Sequence, residues 1–187
     1  MADLAAFDFD GTLTEGGSVF GFLSALAGPA KVVRATAALA PRLGYAALAG
    51  GSAADQTTEL LFRRVLAGMP TERVDRTAVV YAEAHLAKRV RPTVKQRLDW
   101  HRHRGDWVVI VSASPEAYVR VAGDRLGANH VIATRLEVTE DGTLSGYYQG
   151  ANCRGDEKLR RLRLWIEESA IAPEAMWSYG NSRGDLG

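Results

Sequence analysis

The sequence contains a single cysteine, Cys153, so the chain cannot form an internal disulfide. A lack of disulfides is typical of proteins in a reducing compartment, and we therefore expect a cytoplasmic protein. The first ten residues, MADLAAFDFD, also lack the basic segment and the long apolar segment of a signal peptide.

Long hydrophobic runs and an excess of charge are missing as well. The most apolar tract, VVRATAALAPRLGYAALAGG, is interrupted by Arg34, Pro41 and Arg42, and such a tract does not span a bilayer. The net charge is +1 at pH 7, which gives no overall field that would attract nucleic acid or an anionic membrane. We therefore expect neither nucleic acid nor a membrane among the partners.

The hydrophobic patterns that are present predict an α/β fold. LAAFDF, DWVVIVSAS and AMWSYGN are short apolar runs typical of buried strands. Most of the segments between them have helical spacing, and strands that alternate with helices indicate a parallel sheet. The pair Asp141-Gly142, within an alternating segment, predicts a β-hairpin.

The helical segment after the first strand is too long for a simple crossover between parallel strands. Residues 16–88 contain several helical patterns in succession. We interpret this segment as an inserted helical subdomain. The core then consists of residues 1–15 and 89–187.

Polar residues cluster at the carboxyl ends of the predicted strands and in the loop beyond the last one. They carry carboxylate, hydroxyl or amide groups: Asp8, Asp10, Ser112, Ser114, Asn181 and Asp185. Lys158 lies near the start of the helix that precedes the last strand. Because ligands of open parallel sheets bind beyond these carboxyl ends, we expect the set to converge on one site.

The chemistry of such a set favours phosphate esters. Crowded carboxylates need a cation, and oxygen ligands without histidine or cysteine suit Mg²⁺. A lysine and a hydroxyl group donate hydrogen bonds to phosphate oxygens. One carboxylate can attack phosphorus, and a second can act as general acid and base.

The order and spacing of four motifs resemble the haloacid dehalogenase (HAD)-like hydrolase superfamily. The motifs are DFDGTLT from Asp8, Ser112 within VIVSAS, Lys158, and YGNSRGD from Tyr179. FRRVLAGMPTERV and ATRLEVTEDGTLSG are most similar to subfamily IB, the phosphoserine-phosphatase-like branch. The resemblance implies a three-layer α/β/α Rossmann-like core, with the helical segment as a cap inserted after the first strand.

The resemblance also implies an activity, namely an Mg²⁺-dependent phosphatase that hydrolyses a small phosphomonoester through an aspartyl-phosphate. Asp8 is then the nucleophile and Asp10 the general acid and base. Ser112, Ala113 and Lys158 bind the phosphoryl group.

The same resemblance implies a metal site and a substrate site. Mg²⁺ is expected at Asp8, at Asp10 through its backbone carbonyl, and at Asn181 and Asp185. In the cap, Glu15 and Arg64 are the candidate substrate-binding residues.

The chain departs from the pattern of this branch at several positions. Asn181 stands where many members have Asp, which removes one negative charge from the metal site. Gly17 stands where phosphoserine phosphatases have the Glu that meets the substrate ammonium, and Ser112-Ala113-Ser114 replaces Ser-Gly-Gly. Phosphoserine is therefore a candidate substrate but not the favoured one.

Two alternative functions stay open at this point. One is a phosphotransferase or mutase that uses the same intermediate. The other is a weakly catalytic protein that binds phosphate esters, suggested by Asn181 and by the end of the chain at Gly187, just after the fourth motif. From that position we expect the C-terminal part of the core to be missing here.

Two further patterns receive structural interpretations. His101 and His103 lie two residues apart on a predicted helix, so they point in different directions and do not form a zinc site. The tryptophans flank the predicted sheet and are expected in the core or at the cap interface: Trp100, Trp107, Trp165 and Trp177.

Overall fold

The computed structural model describes residues 2–49 and 51–181, which include a parallel sheet and an antiparallel hairpin. The strands are β1 (Leu4–Phe7), β2 (Trp107–Pro115), β3 (His130–Thr134), β4 (Leu136–Val138), β5 (Leu144–Tyr148) and β6 (Met176–Tyr179). The parallel sheet has the order β3-β2-β1-β6, and Phe7 pairs with Ile110 on one side and Tyr179 on the other. The turn at Asp141-Gly142 joins β4 to β5, which confirms the predicted hairpin.

The helices of the described residues lie between and after these strands. They are α1 (Val19–Ala27), α2 (Pro29–Ala38), α3 (Ala40–Ala49), α4 (Gly51–Leu66), α5 (Thr71–Arg89), α6 (Pro92–Arg104), α7 (Glu116–Leu126) and α8 (Asp156–Glu168). Gly105 ends α6 in the left-handed conformation (φ 81°), which glycine adopts without strain. No helix in this part of the chain combines the length and the apolar character needed to cross a membrane.

Helices cover both faces of the sheet, because alternate residues of each strand point in opposite directions. Phe7 and Ile110 share a hydrophobic cluster with Tyr118 of α7 and Leu98 of α6. Leu4, Val109 and Val111 belong to a second cluster, with Leu162 of α8. The core therefore has the predicted three layers, with a buried sheet in the middle.

Helices α1–α5 follow β1, where the sequence predicts a helical insertion. Helix α5 packs beside α7, and α4 packs against β5. Phe22 of α1 and Phe62 of α4 are fully buried in the same cluster as Phe7. The division into a core and a cap stays a prediction.

The expectation that the tryptophans lie in the core or at the cap interface is not met in the core by three of the four. Trp100, Trp107 and Trp177 expose 38%, 36% and 41% of their surface. Trp100 lies on the outer side of α6, where the Arg104 guanidinium stacks 4.5 Å above its ring. Only Trp165 is partly buried, and it stacks on His130 with a centroid distance of 4.9 Å.

Candidate active site

The first strand places Asp8 at the carboxyl edge of the sheet. Its backbone N–H donates to the carbonyl of Tyr179 at 2.9 Å, which continues the β1–β6 pairing. Lys158 of α8 donates to Oδ1 of Asp8 at 2.7 Å, and the Thr12 hydroxyl donates to Oδ2 at 3.1 Å. Both carboxylate oxygens are therefore held in place in a partly buried position.

Asp10 lies in the tight loop that follows β1. The Ser114 hydroxyl donates to Oδ2 of Asp10. The other oxygen, Oδ1, is buried and has no hydrogen-bond partner among the described residues. The loop itself is closed by a bond from the Gly11 N–H to the carbonyl of Gly16 at 3.1 Å. One carboxylate oxygen of Asp10 is thus anchored by Ser114, and the hydrogen-bonding capacity of the second is unused among the described residues.

The carboxyl end of β2 presents Ser112 and Ala113 beside β1. Ser112 is buried, and its Oγ accepts the Ser114 N–H at 3.1 Å, so its own O–H can donate to a ligand. The carbonyl of Ala113 accepts the Thr134 hydroxyl at 2.8 Å, which fixes the strand end. These contacts give a rigid, donor-rich segment suited to phosphate oxygens.

The Asn181 side chain lies against Gly11. A Cβ built on Gly11 would stand 2.1 Å from Nδ2 of Asn181, and Gly11 has a φ of 77°. Both the close approach and the backbone conformation therefore require glycine. The contact places the amide of Asn181 beside Gly11, the residue that follows Asp10.

The donor set fits Mg²⁺. No group of three His, Cys, Asp or Glu side chains is placed to hold a metal within residues 2–49 and 51–181. A carboxylate on Asp8, the backbone carbonyl of Asp10 and an amide oxygen on Asn181 are nevertheless oxygen ligands of the kind that Mg²⁺ prefers. The fourth predicted ligand, Asp185, lies outside the described residues.

Among the described residues, no hydrogen bond or ion pair joins the two cap candidates to this site. Glu15 and Arg64 are exposed. The Glu15 backbone N–H donates to the carbonyl of Arg89 at 2.8 Å. In the part of the chain described here, neither side chain makes a hydrogen bond or an ion pair with the other predicted site residues. Their role in substrate binding stays a prediction.

Sequence patterns do not reveal the hydroxyl groups behind Asp10. Ser18 Oγ lies 2.6 Å from Tyr118 Oη and 3.4 Å from Ser114 Oγ. Burial, followed by the charge of Asp10, raises the pKa of Tyr118 well above its ordinary value. The same two causes raise the pKa of Tyr81 to about 12. Both phenols therefore stay protonated near neutral pH.

Comparison with known sequences agrees with the four motifs. A sequence model of the haloacid dehalogenase-like hydrolase family matches residues 5–187. Protein CicA of Caulobacter vibrioides is 34% identical over 187 residues, which cover 97% of this chain and 79% of CicA. A histidinol-phosphatase of Neisseria meningitidis is 26% identical over 98 residues, 52% of this chain and 43% of that enzyme.

Solved structures share the fold. A protein of unknown function from Bordetella pertussis Tohama I superposes with a TM-score of 0.76 at 21% identity, covering 92% of this chain and 78% of that one. A substrate-bound phosphoserine phosphatase complex superposes with a TM-score of 0.62 at 20% identity, covering 94% of this chain and 76% of that one. The match over residues 5–187 shows that the chain belongs to the haloacid dehalogenase-like hydrolase family, whose members matched here include phosphatases.

Proposed function

We propose that the protein is an Mg²⁺-dependent phosphatase that hydrolyses a small phosphomonoester through an aspartyl-phosphate on Asp8. The observation that carries the proposal is that the Asp8 carboxylate lies between Lys158 and Thr12 and accepts a hydrogen bond from each of them. Ser112 and Asp10 lie at the same edge of the sheet, one on β2 and the other on the loop after β1.

In the first half-reaction, Asp8 is the nucleophile. One of its carboxylate oxygens attacks phosphorus, and the bond between phosphorus and the ester oxygen breaks. The Asp10 carboxylic acid gives its proton to that ester oxygen, which leaves as an alcohol. Lys158, Ser112 and the Ala113 segment bind the phosphoryl oxygens, so that charge is stabilised as it develops.

In the second half-reaction, the Asp10 carboxylate is the base. It takes a proton from a water molecule that attacks phosphorus, the bond from phosphorus to Asp8 breaks, and inorganic phosphate leaves. Mg²⁺, when bound, would neutralise negative charge around the phosphoryl group. We propose that Asp8, the Asp10 carbonyl, Asn181 and Asp185 hold it.

We propose further that residues 16–88 form a cap over a core of residues 1–15 and 89–187. A cap that closes over the substrate excludes water during the first step. Gly17 provides no carboxylate for a substrate ammonium, so phosphoserine is not the favoured substrate. Glu15, at the end of the first core segment, and Arg64 of the cap are proposed to contact the substrate.

The test is phosphate release from a panel of small phosphomonoesters, phosphoserine included, with and without Mg²⁺. We expect Mg²⁺-dependent turnover that Asp8→Asn abolishes. Added acceptor alcohols separate the alternatives, since a phosphotransferase would yield a phosphorylated alcohol in place of phosphate. Stoichiometric binding of an ester without turnover, at any metal concentration, would contradict the proposal.

A further inference from the structure

We propose that a buried chain of three hydroxyl groups, on Tyr118, Ser18 and Ser114, positions the Asp10 carboxyl for proton transfer to the leaving oxygen. The three groups are called the hydroxyl chain below. The inference rests on the proposed phosphatase function, and it assigns to these residues a positioning role in that reaction.

The hydroxyl chain is continuous and closed to solvent. Tyr118 Oη lies 2.6 Å from Ser18 Oγ, which lies 3.4 Å from Ser114 Oγ, and Ser114 donates to Oδ2 of Asp10. Tyr118 and Ser18 are fully buried, and Ser114 exposes 2% of its surface. Because water does not reach these groups, their hydrogen bonds are made to each other.

The Asp10 carboxylate, which can only accept, sets the direction in which the hydroxyl groups donate. Ser114 gives its proton to Asp10 and so can only accept from Ser18, and a Ser18 that donates to Ser114 in turn accepts from Tyr118. Each hydroxyl group then donates toward Asp10, an arrangement in which successive hydrogen bonds strengthen one another. Tyr118 retains its proton at neutral pH because burial and the Asp10 charge raise its pKa.

The two carboxylate oxygens of Asp10 therefore have different roles. The hydroxyl chain occupies Oδ2, whereas Oδ1 is buried without a partner among the described residues. The hydroxyl chain therefore leaves Oδ1 as the carboxyl oxygen that exchanges a proton with the substrate. That oxygen is then held in one orientation for transfer to the ester oxygen.

Two further features support the positioning role of the hydroxyl chain. The Tyr81 hydroxyl of α5 donates to the backbone carbonyl of Ser18 at 2.6 Å, which fixes Ser18 from the side of the helical insertion. Ser114 itself stands where the similar branch has glycine, so the hydroxyl group that reaches Asp10 is a departure from that pattern.

The experiment compares two esters in Ser114→Ala and Tyr118→Phe. An alkyl phosphate such as β-glycerophosphate needs a proton on its leaving oxygen, whereas p-nitrophenyl phosphate expels a stable anion. We expect kcat/KM for the alkyl ester to fall about 10- to 100-fold, within the range of general acid catalysis, and for the aryl ester by no more than about threefold. Tyr148→Phe is the matched control, because the Tyr148 hydroxyl lies 3.5 Å from the carbonyl of Asp55, outside the hydroxyl chain.

The outcomes are distinguishable. Equal losses for both esters in both variants, or no loss for either ester, would overturn the inference, since misfolding or a merely structural role does not distinguish leaving groups. Tyr118→Phe keeps the test decisive if Ser114→Ala does not fold. A wild-type protein that hydrolyses neither ester would instead overturn the proposed function on which the inference rests.

Discussion

Nζ of Lys158 lies 2.7 Å from Oδ1 of Asp8, although 150 positions separate the two residues. Their side chains expose only 14% and 10% of their surface. Helix α8 and strand β1 therefore meet at an ion pair that is largely withdrawn from water. The pair orients the proposed nucleophile and sets a cation where the phosphoryl group is expected to bind.

Removal of this cation is expected to impair the chemical step. For Lys158→Met we predict a fall in kcat of at least about 100-fold, because a fixed charge near the phosphoryl oxygens is lost. Lys158→Arg is expected to recover only part of the rate, since the planar guanidinium does not replace a compact ammonium. Steady-state kinetics check both variants. Lys95→Met serves as the control, because it removes only a surface ion pair with Asp99. A kcat of Lys158→Met within about threefold of the wild-type value would argue against a role of Lys158 in the chemical step.

The contact between Gly11 and Asn181 predicts a defect in Mg²⁺ binding that can be separated from a loss of stability. Gly11→Ala would bring its Cβ 2.1 Å from Nδ2 of Asn181 and would displace that amide. Gly16 has a similar φ of 70° but nothing within 4 Å of an added Cβ. Gly11→Ala and Gly16→Ala should therefore share a backbone cost of about 1 kcal/mol, whereas only Gly11→Ala should raise the Mg²⁺ concentration at half-maximal activity. Equal Mg²⁺ requirements in the two variants would contradict the placement of Asn181.

The charge of the metal site can be tested at Asn181 itself. Asn181→Asp adds a carboxylate where many family members have one, and Mg²⁺ affinity rises with the number of charged ligands. We expect the half-saturating Mg²⁺ concentration to fall about tenfold, as measured by activity titration and by isothermal titration calorimetry. An unchanged or weaker Mg²⁺ affinity would remove Asn181 from the ligand set.

The buried pair of His101 and Asp106 predicts that the folded protein loses stability at acidic pH. His101 Nδ1 lies 2.8 Å from Oδ2 of Asp106, and His101 Nε2 lies 2.9 Å from the Tyr179 hydroxyl. Burial alone would raise the pKa of Asp106, but hydrogen bonds from His101 and from the Asp3 backbone N–H, together with the charge of Arg104, lower it below 3.8. The stabilisation is therefore complete above that value and is lost as the pH falls below it.

Two variants examine this pair by urea unfolding. His101→Ala leaves the Asp106 carboxylate buried without its main partner and is expected to lower the free energy of unfolding by about 3–5 kcal/mol at pH 7. Asp106→Asn should lose less stability than wild type between pH 7 and about pH 3, since it has no carboxylate to protonate. Identical pH dependence in wild type and Asp106→Asn would refute this assignment.

Much of the site could be predicted because strand patterns and sheet geometry act together. Apolar runs identify β1, β2 and β6, and their parallel pairing brings Asp8, Ser112 and Asn181 to one edge of the sheet. Helical spacing argues against a zinc site at His101 and His103, and the structure places the His101 ring within hydrogen-bond distance of Asp106 and Tyr179.

Other features depend on packing that no local pattern encodes. Ser18 and Tyr118 are 100 positions apart and meet where the ring of Phe22 in α1 packs on the ring of Tyr118 in α7, with 4.5 Å between the centroids. The exposure of Trp100 follows from the outer side of α6, which sequence periodicity did not distinguish from its buried side. The proposed cap residue Arg64 likewise could not be placed from its position on α4.

The most direct measurement of the central claim traps the intermediate on Asp8. The protein is mixed with Mg²⁺ and a phosphomonoester that it hydrolyses, quenched with borohydride, and digested for peptide mass spectrometry. Because borohydride reduces an acyl phosphate to an alcohol, the account predicts homoserine at position 8, absent when substrate is omitted. Turnover accompanied by an unmodified Asp8, or by reduction of a different carboxylate, would contradict the account.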